Sequence, residues 1–310
     1  MKFSEALCKF NEWRNLKVGE GTVKGYDISL KYFCIFIKNT EIENIKLDDC
    51  LEWLKWFKEL NFDINTIQKK AIALKIFFEF WWNQGKQIIN PVLIPLPPKQ
   101  FKFPRVACEE DYKKVLAVIP ENSNYYWHIR NKALITLLWD CGARIGELLS
   151  LNVQDIDTIN KRADIHTEKS KGFLPFRRIF WTNSTNQNLI KWIEKRKQEL
   201  TMWNLKEVTE PDAFFISIHG GKGSCVGKAT RMHKSAVTEM IRKYSNKAGL
   251  ERTLNPHSIR HHRGRELALK GANNSTISSI LGHSNLLSSY PYTVLAGKDL
   301  EKQFRKYVNE

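Results

Sequence analysis

Apolar residues recur at three- and four-residue steps through much of this chain. Over 22–38, Val23, Tyr26, Leu30, Phe33 and Ile37 fall on one helical face. Over 47–57 the repeat is Leu47, Leu51 and Leu54, and over 65–82 it is Ile67, Ala71, Leu74, Phe78 and Trp81. Spacing of this kind predicts amphipathic helices, and three in succession predict a small helical bundle. The pattern then breaks. Pro91, Pro95, Pro97 and Pro98 crowd into nine residues, and Pro104 follows. Proline fixes φ and lacks a backbone donor, so 92–106 reads as an extended, semi-rigid linker.

Beyond the linker the pattern is mixed. Ala133, Leu134, Leu137 and Leu138 form an apolar stripe that stops at Gly142, a glycine suited to a helix C-terminus. A short helix through Leu148 and Leu149 follows. Segments 162–167 and 176–181 read as two strands of a hairpin, with Lys169 and Lys171 in the turn between them. Helices are expected at about 185–200 and 229–248, with a strand at 214–217 between them. Two more helices should run over 257–270 and 275–281, ending at Gly271 and Gly282. The tail, 294–310, places Leu300, Phe304 and Tyr307 on one face and reads as a last helix.

Charge changes the picture from a globular chain to one with a polyanionic partner. The 310 residues carry a formal net charge of +16. Most of the excess lies in 107–310, with 32 Lys/Arg against 21 Asp/Glu. Nucleic acid is the usual partner of such a surface. Six cysteines lie scattered without a CxxC pair, which argues for a reducing compartment and against a disulfide framework or zinc site. No run of about 18 apolar residues predicts a membrane span. His257 and His261 stand four apart, yet no acidic or cysteine partner has metal-site spacing. The glycine-rich 220–224 lacks the order of a phosphate-binding loop.

The candidate chemistry lies in dispersed basic and hydroxyl residues. These are Arg144 in Gly142-Ala143-Arg144-Ile145-Gly146-Glu147-Leu148, then Pro256-His257-Ser258-Ile259-Arg260-His261, then Leu281-Gly282-His283-Ser284, then Tyr292. Two guanidiniums present planar forks of donors to an anion. A phenol is a nucleophile once a neighbouring imidazole takes its proton. Nothing in the set needs a cofactor or a metal. Lys69, Lys70 and Lys75 on the third helix are candidate DNA-binding lysines.

In this order and spacing the motifs resemble those of tyrosine recombinases of the phage-integrase and Xer superfamily. Gly271 lies eleven residues past Arg260, His283 twelve past Gly271, and Tyr292 nine past His283. Asn65-Thr66 at the third helix and Asn90-Pro91 after it extend the resemblance over nearly the whole chain. The resemblance implies a mainly α fold. A SAM-like core-binding bundle (1–91) and a linker (92–106) would precede a mixed α+β catalytic domain (107–293) with a small antiparallel sheet and a tail helix (294–310). It implies a site-specific recombinase that cleaves and rejoins duplex DNA through a covalent 3′-phosphotyrosine. Arg144 and Arg260 would hold the phosphate, His257 would accept the proton of Tyr292, and His283 would bond the phosphate. Lys169, with Lys171 as its competitor, would protonate the leaving oxygen, and Glu147 would orient Arg144 or His257. Tyr290 competes with Tyr292, and the nine-residue spacing favours Tyr292. Further expectations are a tetramer on two sites, a possible accessory protein, a cytoplasmic, nucleoid-associated location and a minimal Xer-like layout. The hairpin-turn wording leans towards a mobile-element integrase over chromosome-dimer resolution. A silent architectural DNA-binding protein and a type IB topoisomerase are the alternatives.

Overall fold

The computed structural model describes residues 1–310 apart from 18, 103, 122, 168–175, 203–206, 209–211, 220–227, 284–291, 293–303, 306–307 and 309–310. The chain divides into two compact units, Met1–Lys102 and Phe103–Glu310. The first holds four helices, α1 (Phe3–Asn15), α2 (Glu20–Phe36), α3 (Leu47–Glu59) and α4 (Ile64–Trp82). Helix α4 is its centre: Ile67, Ala71, Leu74, Phe78 and Trp81 are all buried, as their spacing requires. Around it pack Leu30 and Phe33 of α2 and Phe3 and Phe10 of α1. Helix α1 was not anticipated, although Phe3, Ala6, Leu7 and Phe10 carry the i, i+3, i+4, i+7 repeat. In α3 the buried stripe is Cys50, Trp53, Leu54 and Phe57, while Leu51 faces outward.

The proline segment is tied to its own unit. Asn65 of α4 exchanges two hydrogen bonds of 2.9 Å with the backbone of Gln100, and Gln68 donates to the Pro97 carbonyl at 2.9 Å. A chain that cannot form its own ladder thus finds partners on a helix.

The second unit runs α5 (Glu109–Ala117), α6 (Tyr126–Cys141), α7 (Ile145–Leu149), β1 (Ile156–Asp157), β2 (Arg162–His166) and β3 (Phe176–Phe180). Then come α8 (Asn183–Met202), β4 (Glu207–Val208), β5 (Ile216–His219), β6 (Lys228–Arg231), α9 (Lys234–Lys247), α10 (Pro256–Leu269) and α11 (Asn274–Leu281). Strands β1, β2 and β3 make an antiparallel sheet in that order. A second sheet, ordered β4-β6-β5, pairs β5 with β6 antiparallel and β4 with β6 parallel. The segment expected to open helix α9 at 229 instead supplies β6, whose backbone pairs with β5. The helix starts after His233, whose Nδ1 accepts from the Ser235 amide. Helix α6 is the unit's core, with Ala133, Leu134, Leu137 and Leu138 fully buried. The expected tail helix lies largely outside the described residues.

Candidate active site

Three helix ends meet at one point. Helix α6 closes on Gly142, at φ +58°, whose amide bonds the Leu138 carbonyl at 3.0 Å. A Cβ there would come within 2.9 Å of both Arg263 of α10 and Leu281 of α11. Only glycine allows both this turn and this approach. The Gly142 carbonyl accepts from Nη1 of Arg260, at 2.8 Å, which anchors the second arginine to the end of the first helix.

Arg144 follows at the start of α7. Its Nη1 donates to Glu147 Oε1 and to the Gly282 carbonyl, both at 2.8 Å, and its amide donates to Glu147 Oε2 at 3.0 Å. Glu147 is fully buried. Burial pushes its carboxyl up, but the charge of Arg177 and hydrogen bonds from Arg144 and Arg177 outweigh it, leaving the group below its ordinary range. Glu147 thus orients Arg144.

Arg260 is 4% exposed, and among the described residues its Nη2 has no hydrogen-bond partner. Burial, then the charge of Arg144, pulls its pKa down to about 10, so it remains a cation at neutral pH. A buried cationic donor without an acceptor costs free energy until an anion arrives. Two guanidiniums converging this way make an anion site prepared in advance.

Tyr292 completes the cluster. It is 4% exposed, and its ring lies against Gly264 of α10. Its hydroxyl is hydrogen-bonded to Nδ1 of His261 at 2.8 Å. Burial raises the phenol's pKa, with the charges of Arg260 and Arg144 opposing, so the hydroxyl keeps its proton in the DNA-free protein. Burial, then His257 and Arg260, pushes His261 down to about 4, which leaves the imidazole neutral and able to accept. His283 follows the left-handed Gly282 (φ +69°) and stacks on Tyr292, with centroids 6.0 Å apart. Burial, then Arg260, Arg144 and Arg177, pushes it down to about 3.

The fold therefore gathers Arg144, Glu147, Arg260, His283 and Tyr292 from separate segments. His257, expected at the phenol, is exposed in the first turn of α10, and His261, one turn later, takes the contact. His257 and His261, four apart, lie on one side of α10, and the position one turn further along the helix puts His261 against Tyr292. The i, i+4 histidine pair was the available signal. Arg177 and Gly264 were also missed. Lys169, Lys171 and Tyr290 lie outside the described residues. In the first unit Lys69 is exposed and Lys75 half-buried. Lys70 holds its ammonium 4.1 Å from the Phe57 ring centre and 5.6 Å from those of Tyr32 and Trp53, a cation–π setting that occupies its charge. Among the described residues no group of three His, Cys, Asp or Glu is placed to hold a metal.

Comparison with known proteins agrees over most of the chain. Residues 107–298 match the model of the phage integrase family, and 13–85 match that of the phage integrase N-terminal SAM-like domain. The chain is 25% identical over 294 residues to tyrosine recombinase XerC of Staphylococcus epidermidis (strain ATCC 12228 / FDA PCI 1200), covering 92% of this chain and 90% of the relative. XerC of Staphylococcus aureus (strain COL) is 24% identical over 92% of this chain and 89% of its own. The solved structure of the Tn1549 transposon integrase with circular intermediate DNA shares the fold. It has a TM-score of 0.72 and 21% identity, over 99% of this chain and 100% of the other. XerH bound to a palindromic difH substrate, a post-cleavage complex, has a TM-score of 0.69 and 22% identity, over 93% and 80% of the two chains.

Proposed function

The chain belongs to the phage integrase family, and we propose that it is a site-specific tyrosine recombinase in which Tyr292 attacks a DNA phosphodiester held by Arg144 and Arg260. One observation carries the reading: the buried phenol, with an acceptor at 2.8 Å, shares a site with two guanidiniums, one of which presents an unpartnered donor.

The division of labour follows from the chemistry. Attack places extra charge on the non-bridging oxygens, and the two arginines meet it with donors already in place. The bond from the Tyr292 oxygen to phosphorus forms as the bond from phosphorus to the 5′-oxygen breaks. The product is a 3′-phosphotyrosine and a 5′-hydroxyl. The phenol proton passes to His261, the neutral imidazole beside it. His257, exposed one turn earlier on α10, is the other candidate acceptor. His283 bonds the phosphate. Lys169, or Lys171, protonates the 5′-oxygen. The exchanged phosphodiester stores the energy for rejoining, so no nucleotide is consumed.

We assign 1–91 to core-site binding, 92–106 to the linker, 107–293 to catalysis and 294–310 to a tail. The expected partner is duplex DNA bearing a recombination site, bound by four protomers on two sites with an accessory factor, in the cytoplasm at the nucleoid. Among the described residues no helix is long and apolar enough to cross a membrane.

A duplex nicked so that the released fragment diffuses away tests the reading. Offered as a library of genomic fragments, such DNA should yield a covalent adduct with wild-type protein and none with Tyr292→Phe. An adduct that survives this substitution would overturn the assignment.

A further inference from the structure

Arg177 of β3 belongs to the same cluster, and neither the motifs nor the family match assigns it a role. It is 9% exposed at the side chain. Its Nη2 donates to Glu147 Oε2 at 2.8 Å, and its Nη1 donates to the Ile280 carbonyl at 2.5 Å. Its guanidinium lies over Gly282, where a Cβ would come within 2.3 Å of Nε. That glycine precedes His283, and its carbonyl is already held by Arg144. The backbone position of Arg177 is fixed by pairing with Ile165 in the antiparallel β2–β3 pair, and Lys169 and Lys171 fall between the two strands in sequence.

We propose that Arg177 is a positioning residue that locks Glu147, and through it Arg144, to the Gly282–His283 turn and the β2–β3 strand pair. The inference rests on the recombinase reading of the site.

The geometry makes the case. Glu147 has two oxygens; Arg144 claims one by its side chain and shares the other with Arg177. Without Arg177 the buried carboxylate loses a charged partner, and the end of α11 loses the donor that holds Ile280. Arg144 then keeps its carboxylate and its bond to the Gly282 carbonyl, but the turn that presents His283 loses the second of its two arginine anchors. One planar fork reaches both the Glu147 carboxylate and the Ile280 carbonyl. A lysine ammonium keeps the charge but, as a point donor, does not reproduce that span. Misplacement by about 1 Å in such a constellation costs roughly 10²-fold in rate.

The test uses the full chain as wild type, R177K and the double variant R177M/E147Q. In the double variant neither Arg177 nor Glu147 is left as a lone buried charge, and Arg144 keeps the Gly282 carbonyl and an amide oxygen as acceptors. The DNA probe is a nicked duplex carrying the sequence recovered from wild-type adducts. R177K should slow adduct formation by roughly 10²-fold while leaving the DNA dissociation constant within about threefold. The double variant, if folded, should be slowed as much. A second readout needs no DNA. Histidine-selective NMR follows His283, whose charged or titratable neighbours are Arg260 and His261 on α10, Arg144 at α7 and Arg177 on β3. In R177K the charge persists, so an upward move of the His283 titration from about 3 toward 6.5 reports release of the turn. Adduct rates and His283 titration both matching wild type in R177K would overturn the proposal. If wild type forms no adduct on any DNA, the recombinase reading fails, and the His283 titration alone decides whether Arg177 holds the turn.

Discussion

Replacing Gly264 with alanine should set two effects against each other. The residue lies within α10, where alanine is favoured over glycine by about 1 kcal/mol. Were the glycine merely a helix position, the variant would be more stable. But its added Cβ would stand 2.7, 2.8 and 2.9 Å from Cε2, Cζ and Cδ2 of the Tyr292 ring, closer than real Cβ atoms come. The helix backbone is pinned at Gly142 through Arg260, so the ring must leave. Leaving exposes an aromatic side chain worth about 1.5–3 kcal/mol and breaks the bond to His261, worth about 1 kcal/mol. Less the helix gain, the net loss is about 1.5–3 kcal/mol. At about 2–4 °C per kcal/mol for a domain of this size, the catalytic unit's melting temperature should fall. In a Tyr292→Ala background the same Gly264→Ala change should raise it, because the three atoms nearest the added Cβ are gone. Thermal unfolding of the four proteins gives the sign in each background. Stabilisation by Gly264→Ala in both would refute the docking of Tyr292 on α10.

Further outcomes follow from the same geometry. Arg260→Lys should reduce adduct formation by roughly 10²–10³, with DNA binding measured by anisotropy nearly unchanged, because the fork that leaves Nη2 facing the phosphate is lost while the charge stays. Stability should fall as the solution is acidified from pH 6.5 toward 5. His261 and His283, held down to about 4 and about 3, stay neutral in the folded protein where the unfolded chain's imidazoles take up protons. His261→Gln with His283→Gln should flatten that dependence in urea titrations, and a midpoint that rises on acidification would contradict it.

The parts of the fold legible from sequence are those where one local signal suffices. Helices α2, α4, α6 and α11 announce themselves by an apolar stripe, and Gly142, Gly271 and Gly282 mark ends that the structure confirms as left-handed or positive-φ positions. Helix α3 was found with its stripe one position off, because Cys50, Trp53 and Phe57 bury more than the leucines that seemed to define it. The site divides in the same way. Arg144, Arg260, His283 and Tyr292 are recognisable by residue type and spacing. Helix α10 carries His257, Arg260, His261, His262 and Arg263 with little apolar contrast, so its inward face is fixed only by tertiary packing. His257 and His261, four apart, share one face, and in this structure it is His261 that bonds Tyr292. Arg177 and Gly264 have no local signature; each matters for what another segment places against it.

Locating the adducted residue tests the central claim most directly. After nuclease trimming and trypsin digestion of the trapped complex, the peptide 271–298 contains both Tyr290 and Tyr292. Fragment masses should place the nucleotide 3′-phosphate on Tyr292. A phosphate on Tyr290, or on any residue outside this peptide, would contradict the account.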